Sequence, residues 1–151
     1  MNLLASIQAE MKAHLDAQTY FSTSPVITIV TETAKSPSSE ITAALAKTGL
    51  CVMLLTLSAR DCVPQSTNLY WGQIRVIASV IENVTLNRTG QHAAGAAEAV
   101  VWHLMKKGWT ACGPLQFESL EYRPDPAFPD FAIYEAEFTT HGKTTAVPAR
   151  T

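Results

Sequence analysis

Charge is scarce in this chain and nearly balanced. Only 16% of the 151 residues are charged, and 11 Lys+Arg against 13 Asp+Glu leave a formal charge of −2. A protein that neutralises many phosphates needs clustered basic side chains, because phosphate contacts dominate the affinity for nucleic acid. The composition therefore predicts no direct nucleic-acid readout.

Long apolar runs and paired cysteines are also missing. The longest purely apolar run is Leu50–Leu55, whereas a membrane-spanning helix needs about 20 apolar residues. Glu10 and Lys12 interrupt the apolar positions of the N-terminus, so we expect no membrane partner and no secretion signal. Three widely spaced cysteines, an odd number, argue against a disulfide framework and indicate a reducing compartment.

Residues that carry chemistry form no recognisable constellation. The four histidines are spread along the chain, and none has a second ligand at metal-binding spacing. Cys62 lies in a polar stretch, but its neighbour Asp61 would repel a nucleophilic thiolate. No glycine-rich phosphate loop is present. The sequence therefore predicts a protein that is not an enzyme, with no catalytic residues, no bound metal and no cofactor.

Four glutamates near the C-terminus offer one alternative to that reading. Glu118 and Glu121, with Glu135 and Glu137, fall on the last two predicted strands and could approach one another. Paired carboxylates can serve as an acid and a base. Alternating glutamates on a half-exposed strand are more typical of a solvated face, and we interpret them so.

Helical periodicity appears in three segments. Residues 2–16 carry leucine, isoleucine and methionine at intervals of three and four, which places them on one stripe of a docking helix. The segment 37–48 is predicted to be a helix with Ser36 as its N-cap and Gly49 at its end. The alanine-rich segment 91–107 is the third predicted helix.

Alternating or continuous apolar positions predict five strands, at 26–31, 50–57, 70–81, 115–122 and 131–140. Polar residues at 59–69 and prolines at 123–130 predict two long loops. We expect a single α+β domain over 1–141, with a mostly antiparallel sheet of four to five strands packed against two to three helices. The polar segment 142–151 is predicted to be a disordered tail.

One part of the sequence resembles a known family. Ile74–Asn83 is followed by Leu86-Asn87-Arg88 and an alanine-rich helix that ends in Val100–Leu104. Together with Phe117–Tyr122 and Tyr134–Phe138, this order resembles the small tail-completion and tail-terminator proteins of tailed phages and prophages. The resemblance extends over most of the chain in the order of its elements.

The resemblance implies a structural role in virion assembly. Members of that family form a homo-oligomeric ring, commonly a hexamer, which caps the tail tube and presents a surface to the head connector. The implied partners are copies of this chain, the tail tube protein and the head–tail connector proteins. The implied location is the virion tail, assembled in the host cytoplasm.

The family has no fixed interface motif, so the contact residues are a hypothesis from this sequence. We nominate the loop residues Asn87, Arg88 and Thr89, together with the strand face that bears Gln73 and Arg75. Aromatic residues near the ends of predicted elements either serve such an interface or edge the monomer core; they are Trp71, Trp109, Tyr122 and Phe128.

Two other classes of protein fit the same composition. One is a small-molecule-binding module or minor enzyme whose pocket lies between the sheet and the helix at 91–107. The other is an inhibitor or adaptor that binds one host protein through a flat apolar patch. A deep pocket with convergent polar groups would favour the first, and a stable monomer with such a patch would favour the second.

Overall fold

The computed structural model describes residues 2–106 and 108–144. Its described part contains four helices and five strands, in the order α1 Leu3–Asp16, α2 Thr19–Ser22, β1 Thr28–Thr31, α3 Pro37–Lys47, β2 Leu50–Gln65, β3 Asn68–Asn83, α4 Ala93–Lys106, β4 Gln116–Tyr122 and β5 Phe131–Thr144. The strands form one sheet in the order β1-β2-β3-β5-β4. Only β1 and β2 are parallel, and the other three pairs are antiparallel. The predicted α+β class, with a largely antiparallel sheet, is confirmed.

Two of the helices cover one face of the sheet, which we call the inner face. Ile7, Met11 and Leu15 of α1 and Val100 and Leu104 of α4 are fully buried there. They pack with apolar strand residues that include Val52, Leu54, Val76, Ala78, Val80, Ala136 and Phe138. Each fully buried side chain of this kind contributes about 1.5–3 kcal/mol. The apolar stripe of the docking helix therefore holds the main core together.

The third long helix packs on the opposite face, which we call the outer face. Ala44 and Leu45 of α3 form a small second core with the buried Cys51. Burial raises the pKa of the Cys51 thiol to about 12, so this cysteine is an apolar core residue. Most strand contacts of α3 are with β1 and β2, and Ile81 of β3 and Phe131 of β5 pack against the same small core, so α3 covers one end of the outer face.

The starts of the helices only partly follow the predicted caps. The Asn2 side chain accepts a hydrogen bond of 2.8 Å from Ala5 N and caps α1. Ser36 precedes α3 as predicted, but its hydroxyl makes no capping hydrogen bond. The position of the cap was therefore right, and the predicted side-chain bond was wrong. Its backbone carbonyl, not its hydroxyl, accepts from Glu40 N at 3.1 Å. The short α2 exceeds the two to three helices that we expected, and its Phe21 is buried in the main core.

The predicted loop at 59–69 is wrong. β2 and β3 are 16-residue strands joined by a turn at Ser66 and Thr67, so this segment forms most of a hairpin arm. The residues of β2 after Ala59 are exposed, and an exposed strand has no apolar alternation that would distinguish it from a loop. Pro64 lies on the open side of β2, where a missing N–H costs no hydrogen bond within the sheet.

The predicted boundary of the C-terminal tail is also wrong. β5 continues to Thr144, because Gly142 pairs with Trp71 and Thr144 pairs with Leu69 of the arm. Backbone hydrogen bonds to β3 stabilise this stretch without apolar side chains, which the composition of the segment could not indicate. Residues 145–151 of the predicted tail lie outside the described residues, as does Lys107 at the end of the third predicted helix.

Candidate assembly interface

The nominated loop is built around a buried carboxylate. Glu82 at the end of β3 accepts a hydrogen bond of 2.9 Å from Ala93 N, at the start of α4, and one of 2.7 Å from Asn87 Nδ2. His92 Nδ1 lies 3.2 Å from the same carboxylate. Burial by itself would raise the pKa of Glu82, but these hydrogen bonds outweigh it and the pKa is lowered. Glu82 therefore links the loop to the first turn of α4.

Asn87 and Thr89 are engaged inside the loop. Asn87 Oδ1 accepts from Thr89 N at 2.9 Å and from Thr89 Oγ1 at 2.7 Å. Asn87 Nδ2 also donates to Gln91 O at 2.6 Å. These two nominated side chains thus have partners inside the loop, and these bonds shape the loop that carries Arg88.

The close approach of this loop to the start of β2 requires a glycine. Gly49 has a φ of +81°, and a Cβ there would lie 2.4 Å from the backbone of Asn87. Arg88 N donates to Thr48 O at 2.8 Å across the same contact. The Arg88 side chain is exposed beside Lys47, on the rim of a depression of about 370 Å³. Arg88 is the accessible member of the nominated loop.

The second nominated group lies elsewhere, on the outer face. Gln73 and Arg75 are half-buried on β3. Arg75 and the end of β3 at Asn83 are eight residues apart, about 26 Å at the usual rise of a strand. The structure therefore does not bring the two nominated groups together, and a ring contact would involve them at two separate places.

Charges on the outer face are paired across three strands. Arg75 of β3 forms an ion pair with Glu137 of β5, and Arg123 pairs with Glu121 and lies 3.8 Å from Glu135. Glu121 and Glu135 are cross-strand neighbours, so two of the four glutamates do approach each other as considered above. Arg123 offsets their repulsion. The arrangement is a solvated, charge-balanced surface.

The other half of the outer face is apolar. Ile77 is buried within the sheet surface, whereas the neighbouring Leu57 is 51% exposed. These two residues, Ser119 and the charged groups line a shallow depression of about 190 Å³. Beyond the end covered by α3, no described helix lies over this part of the sheet. An open face that is half apolar and half charge-paired is suited to a protein partner.

The four aromatic residues near element ends divide into two kinds. Trp71 and Trp109 pack against the main core, so they edge the monomer. Tyr122 and Phe128 are 53% and 54% exposed. The Tyr122 ring lies 5.2 Å from the Tyr134 ring at the free side of β4. The exposed pair leaves aromatic surface available for contacts.

The space between the sheet and α4 is filled by side chains. Ala93, Ala97, Val100 and Leu104 of α4 are buried at 0–1% exposure. An apolar concavity of about 430 Å³ lies elsewhere, between the start of α1, the end of β1 and the base of the arm, and includes Leu3 and Trp71. Tight packing beneath α4 argues against a ligand pocket at the place where the small-molecule hypothesis put it.

Groups with reactive chemistry are dispersed in the described residues. Between residues 2 and 106 and between 108 and 144, no three His, Cys, Asp or Glu side chains are grouped so that they could hold a metal ion. Cys62 is exposed on the arm, and burial raises the pKa of the half-buried Cys112 thiol. In the same ranges, no helix is long and apolar enough to cross a membrane. The predicted absence of catalytic, metal and cofactor sites stays a prediction.

Comparison with known proteins adds one finding. No protein family matches the sequence, and no curated protein is similar to it. Among solved structures, the fold is similar to a chain in the virion of a native gene transfer agent (GTA) particle, with a TM-score of 0.62 and 17% sequence identity. The match covers 94% of this chain and 98% of that chain. At this identity the likeness establishes that the two chains share a fold over almost their whole length.

Proposed function

We propose that the protein is a structural subunit of a phage-like particle, and that it forms a ring which terminates the tail tube and joins it to the head connector. The observation that carries this proposal is the likeness to a chain of a gene transfer agent virion over 94% of this chain. A match over nearly the whole of both chains supports a shared architecture of the protomer. The order of elements in the sequence independently resembles tail terminators.

The outer face supports a role in assembly more than one in catalysis. It combines the exposed Leu57 with ion pairs at Arg75 and Arg123. Protein interfaces typically have an apolar centre and a polar rim in which charges find partners. Because this surface has charges of both signs, a copy of the same chain could match it without a large excess of like charge.

Within this proposal, the nominated residues take different roles. Gln73 and Arg75 contact a neighbour through the outer face, and Arg88 contacts one at the opposite end of the sheet. Asn87 and Thr89 act through their hydrogen bonds, which position Arg88. Two distant contact patches on one protomer are what a head-to-tail ring requires.

Native mass spectrometry of the purified protein over a range of concentrations tests the ring. We expect a discrete closed species of about six copies. Head-to-tail interfaces form a closed ring when the rotation from one subunit to the next is a whole fraction of a full turn. A chain that remains monomeric at every concentration would contradict the proposal. Cryo-electron microscopy of the same sample would then place the outer face relative to the ring axis.

Charge reversal tests the two patches separately. We expect Arg75→Glu and Arg88→Glu each to abolish the ring-sized species while the protein stays folded, because each reversal places repulsion in a contact. Lys35→Glu, at an exposed lysine outside both patches, is the matched control and should assemble normally. Normal ring assembly by both arginine variants would remove these residues from the interface.

A further inference from the structure

In the described residues, strand edges are open at both ends of the sheet, where β1 and β4 are the last strands. β4 pairs with β5 on one side only. At the other end of the sheet, β1 pairs with β2 only between Cys51 and Leu54, although β2 continues to Gln65. Unpaired strand edges present backbone donors and acceptors that can pair with another chain.

A side chain marks where the open edge of β2 begins. Glu32, directly after β1, donates its backbone N–H to Leu54 O at 3.0 Å. Its carboxylate Oε1 accepts from Thr56 N at 2.7 Å and so closes the edge there. Beyond this point, no described strand pairs with the open side of residues 57–63. We call residues 57–63 the β2 edge segment.

The β2 edge segment is bounded and apolar at both ends. Leu57 and Val63 are 51% and 50% exposed, whereas protected edges usually carry lysine or other charges at such positions. Pro64 follows directly and has no N–H to offer, so pairing must stop there. The segment is a site of limited length, and its two charged residues, Arg60 and Asp61, are adjacent and of opposite sign.

Backbone directions on β4 can be assigned from one hydrogen bond. Arg123 N donates to Ile133 O at 2.8 Å, so the backbone N–H and carbonyl of Arg123 point toward β5. Backbone groups alternate along an antiparallel strand, so Glu121 also faces β5, while Leu120 and Tyr122 face away. Tyr122 therefore directs an N–H and a carbonyl to the free side of the sheet.

The directions of the strands are compatible with pairing between these two edges. Three successive antiparallel pairs connect β2 to β4 across the sheet, so β4 runs opposite to β2. In a ring of copies related by rotation, the β4 of one copy would therefore lie antiparallel to the β2 of the next. Since the two edges are different patches, their pairing is head-to-tail.

We infer that β4 of one copy adds to the β2 edge segment of the next, so that the sheets of neighbouring subunits become continuous. This inference rests on the proposed ring. β4 contains seven residues, and so does the segment from 57 to 63, which makes both about 23 Å long. Glu118 and Glu121 of β4 would meet a segment in which Arg60 and Asp61 balance each other, so net charge does not oppose the pairing.

A cysteine already present on the arm provides the test. Cys62 lies in the β2 edge segment and is exposed, while Cys51 is buried. Single cysteines are introduced on β4 as Gln116→Cys, Glu118→Cys and Tyr122→Cys, and each protein is oxidised with diamide and separated without reductant. We expect at least one variant to give a ladder of covalent oligomers that Cys62→Ser and dithiothreitol both abolish. Ala46→Cys near the end of α3, exposed and close to the start of β2 at Leu50 rather than to the β2 edge segment, should give no ladder.

Native mass spectrometry of the same samples distinguishes a failure of strand addition from a failure of ring formation. A ring-sized species together with a Cys62-dependent ladder supports strand addition. A ring without any such ladder overturns strand addition and leaves the ring intact. The absence of a ring-sized species overturns both.

A proline at the free side of β4 gives an independent test. Tyr122→Pro removes the outward N–H without removing a hydrogen bond to β5, so we expect assembly to require at least tenfold more protein while the unfolding temperature is nearly unchanged. Tyr122→Thr retains the N–H and serves as the matched control. Equal assembly of the two variants would overturn the inference.

Discussion

Val76 and Arg75 are neighbours on β3, yet they lie in two different environments. Val76 is fully buried on the inner face beneath the helices, whereas Arg75 lies on the outer face in an ion pair with Glu137. The inner face is covered by α1 and α4, and the outer face is covered by α3 at one end only. One face of this sheet therefore stabilises the protomer, and most of the other is available to partners.

The largest effect is expected where the inner face is most densely packed. Phe138→Ala should lower the free energy of unfolding by about 3–5 kcal/mol, because it removes a fully buried ring and leaves a cavity. Urea unfolding measures this loss. Phe117→Ala is the control, since the Phe117 ring contacts Phe138 but is partly exposed. Equal losses for the two variants would contradict burial as the source of the loss.

Glu82→Gln should have the next largest effect on stability. Ala93 N and Asn87 would lose a charged acceptor in a buried place, which costs about 1–3 kcal/mol. Urea unfolding at pH 7 measures the loss. Asp16→Asn is the control, because Asp16 is an exposed residue at the end of α1.

The same residue should produce a pH dependence of stability. Because the pKa of Glu82 is lowered in the folded protein, the unfolded chain binds this proton at higher pH. Its contribution is therefore present above the unfolded pKa of about 4.3 and is lost as the pH falls through the folded-state pKa. Unfolding curves between pH 7 and 3 should be less acid-sensitive for Glu82→Gln than for the unaltered protein.

On the outer face, a substitution should change assembly and leave stability nearly unchanged. Leu57→Glu replaces a half-exposed side chain and should alter the free energy of unfolding by no more than about 0.5 kcal/mol. The ring-sized species should disappear, because a charge is then placed at the apolar part of the proposed contact. Met105→Glu, at an exposed residue of α4 outside both patches, should assemble normally. A large loss of stability for Leu57→Glu would show that the outer face belongs to the monomer core.

The smallest effect is expected from the partly exposed ion pair. Arg75→Ala should cost under about 1 kcal/mol of unfolding free energy, since solvent screens an ion pair in which both side chains are partly accessible. Asp16→Ala, which removes a more exposed ion pair with Lys12, gives the reference for a surface effect. A loss of several kcal/mol for Arg75→Ala would indicate that the pair is part of the folded core.

Segments that bury one side could be predicted from the sequence, whereas exposed segments could not. The helix at 2–16 and the strand at 70–81 were predicted because their apolar side chains repeat with the period of the element that buries them. The arm at 59–69 was predicted as a loop because its strands are exposed and have no such period. The interface residues were nominated without knowing that Asn87 and Thr89 are bound inside their own loop, a fact that depends on the position of Glu82.

The α+β class, the three long helices and the burial of Cys51 could be predicted from the sequence, because the spacing of apolar residues encodes which side of each element leaves water. The long hairpin of β2 and β3, the open part of the outer face and the unpaired strand edges of the described residues are evident in the tertiary structure alone. These features depend on backbone pairing between residues far apart in the chain. Backbone hydrogen bonds are common to nearly every residue type, so their pairing leaves little trace in the sequence.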